Sequence, residues 1–196
     1  MQVKGAVKHI LEKLKVDLPE YLLYHSVSHV RDVKVQAMRI AASEGITNQE
    51  DLDLLETAAI YHDCGFLSTY TNHEEKGCEI ARELLPDFDY TPAQIKIIEG
   101  LIMATKVPQK PKTKLEEIIC DADLDYLGRD DFFTIGDYLY EELLHIGVVK
   151  DEMAWNHLQI KFLTAHHYFT QTNIKDREPL KSENLKKIVK RTEKKD

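Results

Sequence analysis

The chain has 196 residues, 43% of them hydrophobic and 31% charged, with a net charge of −8. That length supports one domain with a substantial core rather than two, and no apolar run approaches the ~18 residues needed to cross a bilayer. Residues 175–196 carry nine basic and five acidic side chains. The body before them is therefore strongly acidic, which argues against duplex nucleic acid as a ligand, since phosphate neutralisation needs a basic surface. The basic run itself reads as the solvated end of a helix. Three cysteines, Cys64, Cys78 and Cys120, are too few and too odd in number for a disulfide framework and suit a reducing compartment. The first fifteen residues mix Lys and His with apolar residues and contain no signal-peptide core. The expectation is a cytoplasmic protein with no membrane partner.

In chain order, Val3, Val7, Ile10, Leu11 and Leu14 fall on one helical face. Pro19 marks a break before a helix predicted from about Glu20 to Ser43, ending near Gly45. Thr47 or Asn48 can cap a third helix with Leu52, Leu55, Ala58, Ala59 and His62 along one side, and Gly65 ends it. A polar loop from Ser68 to Asn72 leads to a helix that stops before Pro86, and Thr91-Pro92 opens another by cap and first-turn proline. Pro108 and Pro111 sit in a clear loop. Helices at about 114–127, 130–147, 151–169 and 174–192 complete the reading. No stretch alternates like a strand, and no repeat or interdomain linker is visible. The expectation is a single all-α domain over residues 1–196 with eight or nine helices, its motifs within about 20–170 and a basic helix and tail at 174–196. Tyr61, Tyr126 and Trp155 read as core. A homodimer is left open.

Four places carry chemistry. Tyr24-His25-Ser26-Val27-Ser28-His29 puts two histidines four residues apart, on one face of the predicted helix. His62-Asp63 ends the third helix. His73-Glu74 has two readings: the start of a helix under an Asn72 cap, with Glu74 and Glu75 at the positive end of the dipole, or part of a catalytic set. The fourth place is Asp121-Ala122-Asp123-Leu124-Asp125, which lacks the glycine and closing Glu of a calcium loop.

Helical phase separates the aspartates of that fourth place. Asp121 has Glu117 and Asp125 one turn away, an acidic and wet surround. Asp123 has Ile119 and Cys120 before it and Tyr126 and Leu127 after it, and is expected to point into the apolar side. A buried carboxylate must protonate, pair or bind a metal. His62 and Asp63 face the same constraint beside Ala58, Ala59 and Ile60. His29, His62, Asp63 and Asp123 together would make a His2Asp2 cage suited to a borderline divalent ion.

The succession His29, then His62-Asp63, then Asp123 resembles the HD superfamily of metal-dependent phosphohydrolases, which carries His, His-Asp and a distal Asp on an all-helical scaffold. The resemblance spans roughly Tyr24 to Leu127. Tyr24-His25-x-x-x-His29-x-x-Asp32-Val33 and Ala122-Asp123-Leu124 are also similar to signatures of class I cyclic-nucleotide phosphodiesterases. These likenesses imply metal ligation by His29, His62, Asp63 and Asp123. The ion implied is Mn, Fe, Co, Ni, Zn or Mg, in one well-built site, with Asp63 able to bridge to a second. They also imply hydrolysis of a phosphomonoester or phosphodiester of a nucleotide or other small molecule by water activated at the metal. Catalytic roles fall to His25, as general acid to the leaving group, to Asp63 and to His73.

Two departures follow. Many members carry a Lys near the His-Asp motif where this chain has Phe66, so phosphate contacts are expected from Lys106 or Arg177. Met103-Ala104-Thr105-Lys106 has no histidine where multi-metal members have a pair. The rival expectations are a non-catalytic metal or nucleotide sensor on the same scaffold and a plain interaction module.

Overall fold

The computed structural model describes residues 1–193; the last three residues of the basic tail read at 174–196 lie outside the described residues. The described chain is all-α and forms one domain. Its helices are α1 (Val3–Asp17), α2 (Val27–Ser43), α3 (Gln49–Tyr61), α4 (His73–Leu84), α5 (Pro92–Ala104), α6 (Lys114–Asp123), α7 (Phe132–His145), α8 (Glu152–Ala165), α9 (Gln171–Asp176) and α10 (Glu178–Thr192). Short 3-10 turns cover Cys64–Leu67, Leu85–Phe88 and Asp125–Gly128.

Side-chain caps set half of the starts. Asn48 accepts from the Asp51 N–H at the head of α3, and Thr91 and Gln94 form a reciprocal capping box on α5. Thr113, Asp151 and Thr170 cap α6, α8 and α9 in the same way. Of the faces anticipated for α1 and α3, Val7, Ile10 and Leu14 from the first and Leu55, Ala58 and Ala59 from the second are buried, while Val3, Leu11 and Leu52 are half-buried against them. One large apolar cluster joins α1 to α6, with α2 packed between α3 and α6. A second gathers Tyr24, Leu124, Leu127, Phe132, Leu163 and Ile188, and a third holds Leu143, Val149 and Trp155. The chemistry-bearing residues lie where the first cluster meets the other two.

The structure departs from the sequence expectations at five places, each for a tertiary reason. α2 begins at Val27, not Glu20, because the N–H groups of Tyr24 and His25 donate to Glu142 Oε2, at 3.1 and 3.2 Å, instead of to carbonyls one turn back. His25 and His29 therefore do not share a helix. The 174–192 segment is two helices meeting at Arg177, with Pro179 in the first turn of α10, where its missing N–H is harmless. Within it Lys181 is buried rather than solvated; it donates to the His166 carbonyl at 2.7 Å and pairs with Glu178 at 2.8 Å. Asn72 does not cap α4; it is left-handed, with φ of 56°, and its Oδ1 accepts from Lys106 Nζ.

The fifth departure is Asp121, which is 0% exposed rather than wet. It accepts from the N–H groups of Phe169 and Thr170, at 2.9 and 2.8 Å, and from the Thr170 hydroxyl at 2.6 Å. It thus pins α6 to the strand of chain that enters α9. Burial pushes its carboxyl up to about 6, against the lowering effect of those bonds. Asp125 is equally buried and binds Arg39, Arg177 and Asn173. Asp121→Ala strands two N–H groups in the interior, each worth about 1–3 kcal/mol. The variant is expected to melt roughly 5–15 °C lower while its folded fraction still binds metal; a melting curve with metal analysis checks both.

Candidate metal centre

α2 brings His29 in its first turn, His62 and Asp63 follow directly on the end of α3, and α6 ends at Asp123. Because α2 packs on both α3 and α6, the three helix ends converge. His29 Nε2 lies 3.4 Å from Asp63 Oδ2 and 3.2 Å from Asp123 Oδ1. His62 Nε2 lies 3.2 and 3.5 Å from the same two oxygens. Two nitrogens and two oxygens thus alternate around a small closed ring. A divalent ion with ligands at about 2.1 Å spaces neighbouring donors about 3.0–3.4 Å apart, from octahedral to tetrahedral.

The donor set fits a metal on a further observation. His29 Nε2, His62 Nε2 and Asp63 Oδ2 are buried and make no hydrogen bond, an expensive condition unless a cation sits among them. His62 Nδ1 lies 2.9 Å from the Ala59 carbonyl, which fixes the proton there and turns the Nε2 lone pair toward the ring, as in metal-binding histidines. Electrostatics agree. Burial resists charge on His62, yet Asp63 and Asp123 push its pKa well up. Burial likewise opposes ionised Asp63 and Asp123, yet the imidazoles hold both below the usual range, Asp123 at about 2. The pocket selects positive charge beside two carboxylates. His29, His62 and Asp123 form a metal-capable group on ligand-atom spacing.

Asp63 also faces the other way. Its Oδ1 lies 3.5 Å from His73 Nε2, which is 3.5 Å from Glu74 Oε1. This approach depends on Gly65: a Cβ there would lie 1.8 Å from the His73 carbonyl oxygen, so any larger residue would push α4 away. Phe66, at the position where a Lys was expected, is wedged between rings, stacked on His25 at 4.2 Å and on His73 at 4.0 Å between centroids.

His25 stands beside the cage, its ring 6.1 Å from that of His29. Its Nδ1 is in a short hydrogen bond to Glu142 Oε1, which also accepts from the Tyr70 hydroxyl at 3.0 Å. Burial disfavours the imidazolium, but the Glu142 bond and the charges of Asp63, Glu142 and Asp123 together outweigh it and raise the His25 pKa. Glu142 is fully buried on α7 and was not singled out from the sequence. A signal was present, since it follows Ile135 and Leu139 and precedes Ile146 at helical spacing, a lone carboxylate in an apolar stripe.

A cavity of about 610 Å³ opens beside the cage and is lined by His25, Asp63, His73, Lys106 and Asp123 among others. Lys106 is at its rim, paired with Glu75 and Asn72. A second cavity of about 300 Å³ reaches His29 and Asp123 from the other side, past Asp32 and Arg129. Arg177 lines neither. Its Nε donates to Asp125 at 2.9 Å, so the expected phosphate contact from Arg177 is corrected to a structural ion pair. Asp123, at 14% side-chain exposure, is the least buried of the three neighbouring aspartates, the reverse of what helical phase suggested; it faces the cage because Asp121 and Asp125 are drawn toward the C-terminal helices.

No curated protein sequence matches the chain. Among solved structures it is similar to one described as a predicted HD superfamily hydrolase from an uncultured Thermotogales bacterium, at 20% identity and a TM-score of 0.59, over 95% of this chain and 89% of that one. That likeness supports the fold. The model of the HD domain matches residues 26–125, a span of about half the chain that contains His29, His62, Asp63 and Asp123, and the chain therefore belongs to the HD domain family.

Proposed function

We propose that this protein is a divalent-metal-dependent phosphohydrolase acting on a phosphomonoester or phosphodiester of a small molecule. The observation that carries the reading is the set of buried, unbonded ligand atoms of His29, His62 and Asp63, with a carboxylate-held His25 opening onto the same cavity.

An ion held by His29, His62, Asp63 and Asp123 would supply Lewis acidity toward a phosphoryl oxygen and a water of lowered pKa. The remaining work belongs to the chain. Glu142 engages His25 Nδ1, so Nε2 is the nitrogen free to deliver a proton to the departing oxygen. Tyr70 and the N–H groups of Tyr24 and His25 hold Glu142 in place. Lys106, exchanging Glu75 for substrate, offers positive charge at the rim. His73 and Glu74, beside the outward oxygen of Asp63, would take part in a second, more open metal position.

The test is a panel of phosphomonoesters and phosphodiesters run with Mn, Co, Ni, Fe and Mg in turn, with metal analysis of the same samples. Turnover that EDTA abolishes and one of these ions restores is the expected result. Melting should rise by roughly 5–10 °C at a hundredfold excess of metal over its Kd. Stoichiometric metal with no turnover on any ester would favour the sensor instead, and a melt indifferent to EDTA and to every ion would remove the metal centre.

A further inference from the structure

The cavity beside the cage has two unlike walls. One is polar and comes from the chain up to Asp123: His25, Asp63, Asn72, His73, Lys106 and Asp123. The other comes from α7, α8 and their connection, beyond the span matched by the family. It presents Phe132, Leu139, Leu143, Trp155, Leu158 and Phe162. From Leu127 onward, the Gln159 amide and the indole N–H of Trp155 are the polar side-chain groups among the described lining residues. Two apolar side chains of this wall lack full cover: Leu158 is 36% exposed and Val148 59%. The whole, about 610 Å³, falls within the roughly 300–1,000 Å³ of small-molecule sites.

An anionic head directed at the cage would leave the apolar half to whatever the head is esterified to. A nucleobase and ribose bring several donors and acceptors into this half, where the Gln159 amide and the Trp155 indole N–H meet few of them; each one stranded costs about 1–3 kcal/mol. A plain hydrocarbon or aryl body strands none and covers Leu158 and Val148.

We propose that the site takes a phosphate ester whose other half is bulky and apolar, an alkyl chain or an aryl group, seated between α7 and α8 with its head at the cage. This rests on the hydrolase reading for the head but not for the body. α7 and α8, rather than the cage, then set which ester the protein selects.

The test uses hydrolysis-inert probes on the full chain: methyl-, butyl-, hexyl- and phenylphosphonate, with an adenosine nucleotide analogue whose 5′ ester oxygen is replaced by methylene as the polar comparison, by calorimetry in Mn and again in EDTA. Affinity should climb about three- to fourfold per added methylene, in both conditions, and hexylphosphonate should bind more tightly than the nucleotide. Leu158→Asp, a half-exposed position that tolerates the change, should flatten the climb. Equal affinity along the series, no binding of any member, tighter binding of the nucleotide, or an unchanged climb in Leu158→Asp overturns the proposal. Hexyl phosphate incubated with each metal separates the two readings: a steep climb without turnover upholds the apolar seat and counts against hydrolysis.

Discussion

Asp63→Asn and Asp123→Asn proteins will fold but will not retain stoichiometric metal. Asparagine keeps the shape of each side chain and removes its charge. The ring of donors then has one carboxylate against two imidazoles, and the cation loses an anionic ligand in a site where Asp63 Oδ2 is already without a hydrogen bond. Substituting even an outer partner of a metal ligand typically costs about 10–100-fold in affinity; direct ligands should exceed 100-fold. Asp63 should have the larger effect, because its second oxygen also faces His73. Without metal the variants should melt close to the unsubstituted protein, since His62 can go neutral when a carboxylate is removed. The rise on adding metal, about 3 kcal/mol at a hundredfold excess over Kd, should disappear. Elemental analysis beside melting curves decides it, and full metal content in both variants would dismantle the cage.

His25→Ala should lower kcat by about 10²–10⁴ at unchanged metal content. The loss should be smaller on nitrophenyl esters, whose leaving groups need little protonation. Glu142→Gln acts through His25. It preserves an acceptor for the Tyr24 and His25 N–H groups but removes the anion paired with the imidazole. A kcat loss of about 10–100-fold is expected, again greatest on poor leaving groups. Glu142 is a positioning residue, so a plain packing role would show as lower stability with no dependence on the leaving group. Equal losses of His25→Ala on natural and activated esters, or none on either, would end the general-acid assignment.

Much of the fold was legible in the sequence because its determinants are local. The Thr91-Pro92 start, the Asn48 cap and the apolar faces of α1 and α3 depend on residues within a turn of one another. The family was legible for a related reason: His29, His62-Asp63 and Asp123 sit at helix ends, and their order along the chain survives without knowledge of packing. Helix count was nearly so, with ten helices among the described residues where eight or nine were expected; Arg177 splits the last because Pro179 needs a helix start.

What only the tertiary structure decided is which element lies against a given face. Helical phase marked Asp123 as buried and Asp121 as wet, yet Asp121 is the one sealed, because the chain entering α9 brings two N–H groups and a hydroxyl to it. Pattern at 20–43 read as one helix, yet Glu142, more than a hundred residues away, takes the N–H groups that would have extended α2. Arg177 reads from sequence as free for phosphate, yet its Nε donates to the buried Asp125. Trp155, in the apolar wall of α7 and α8, reads from sequence as core, because a hydrophobic stripe has the same spacing whether it meets another helix or an open cavity. Periodicity records the phase of a side chain on its own helix; burial, pairing and the shape of a pocket are properties of two surfaces at once, and the second surface is far away in the chain.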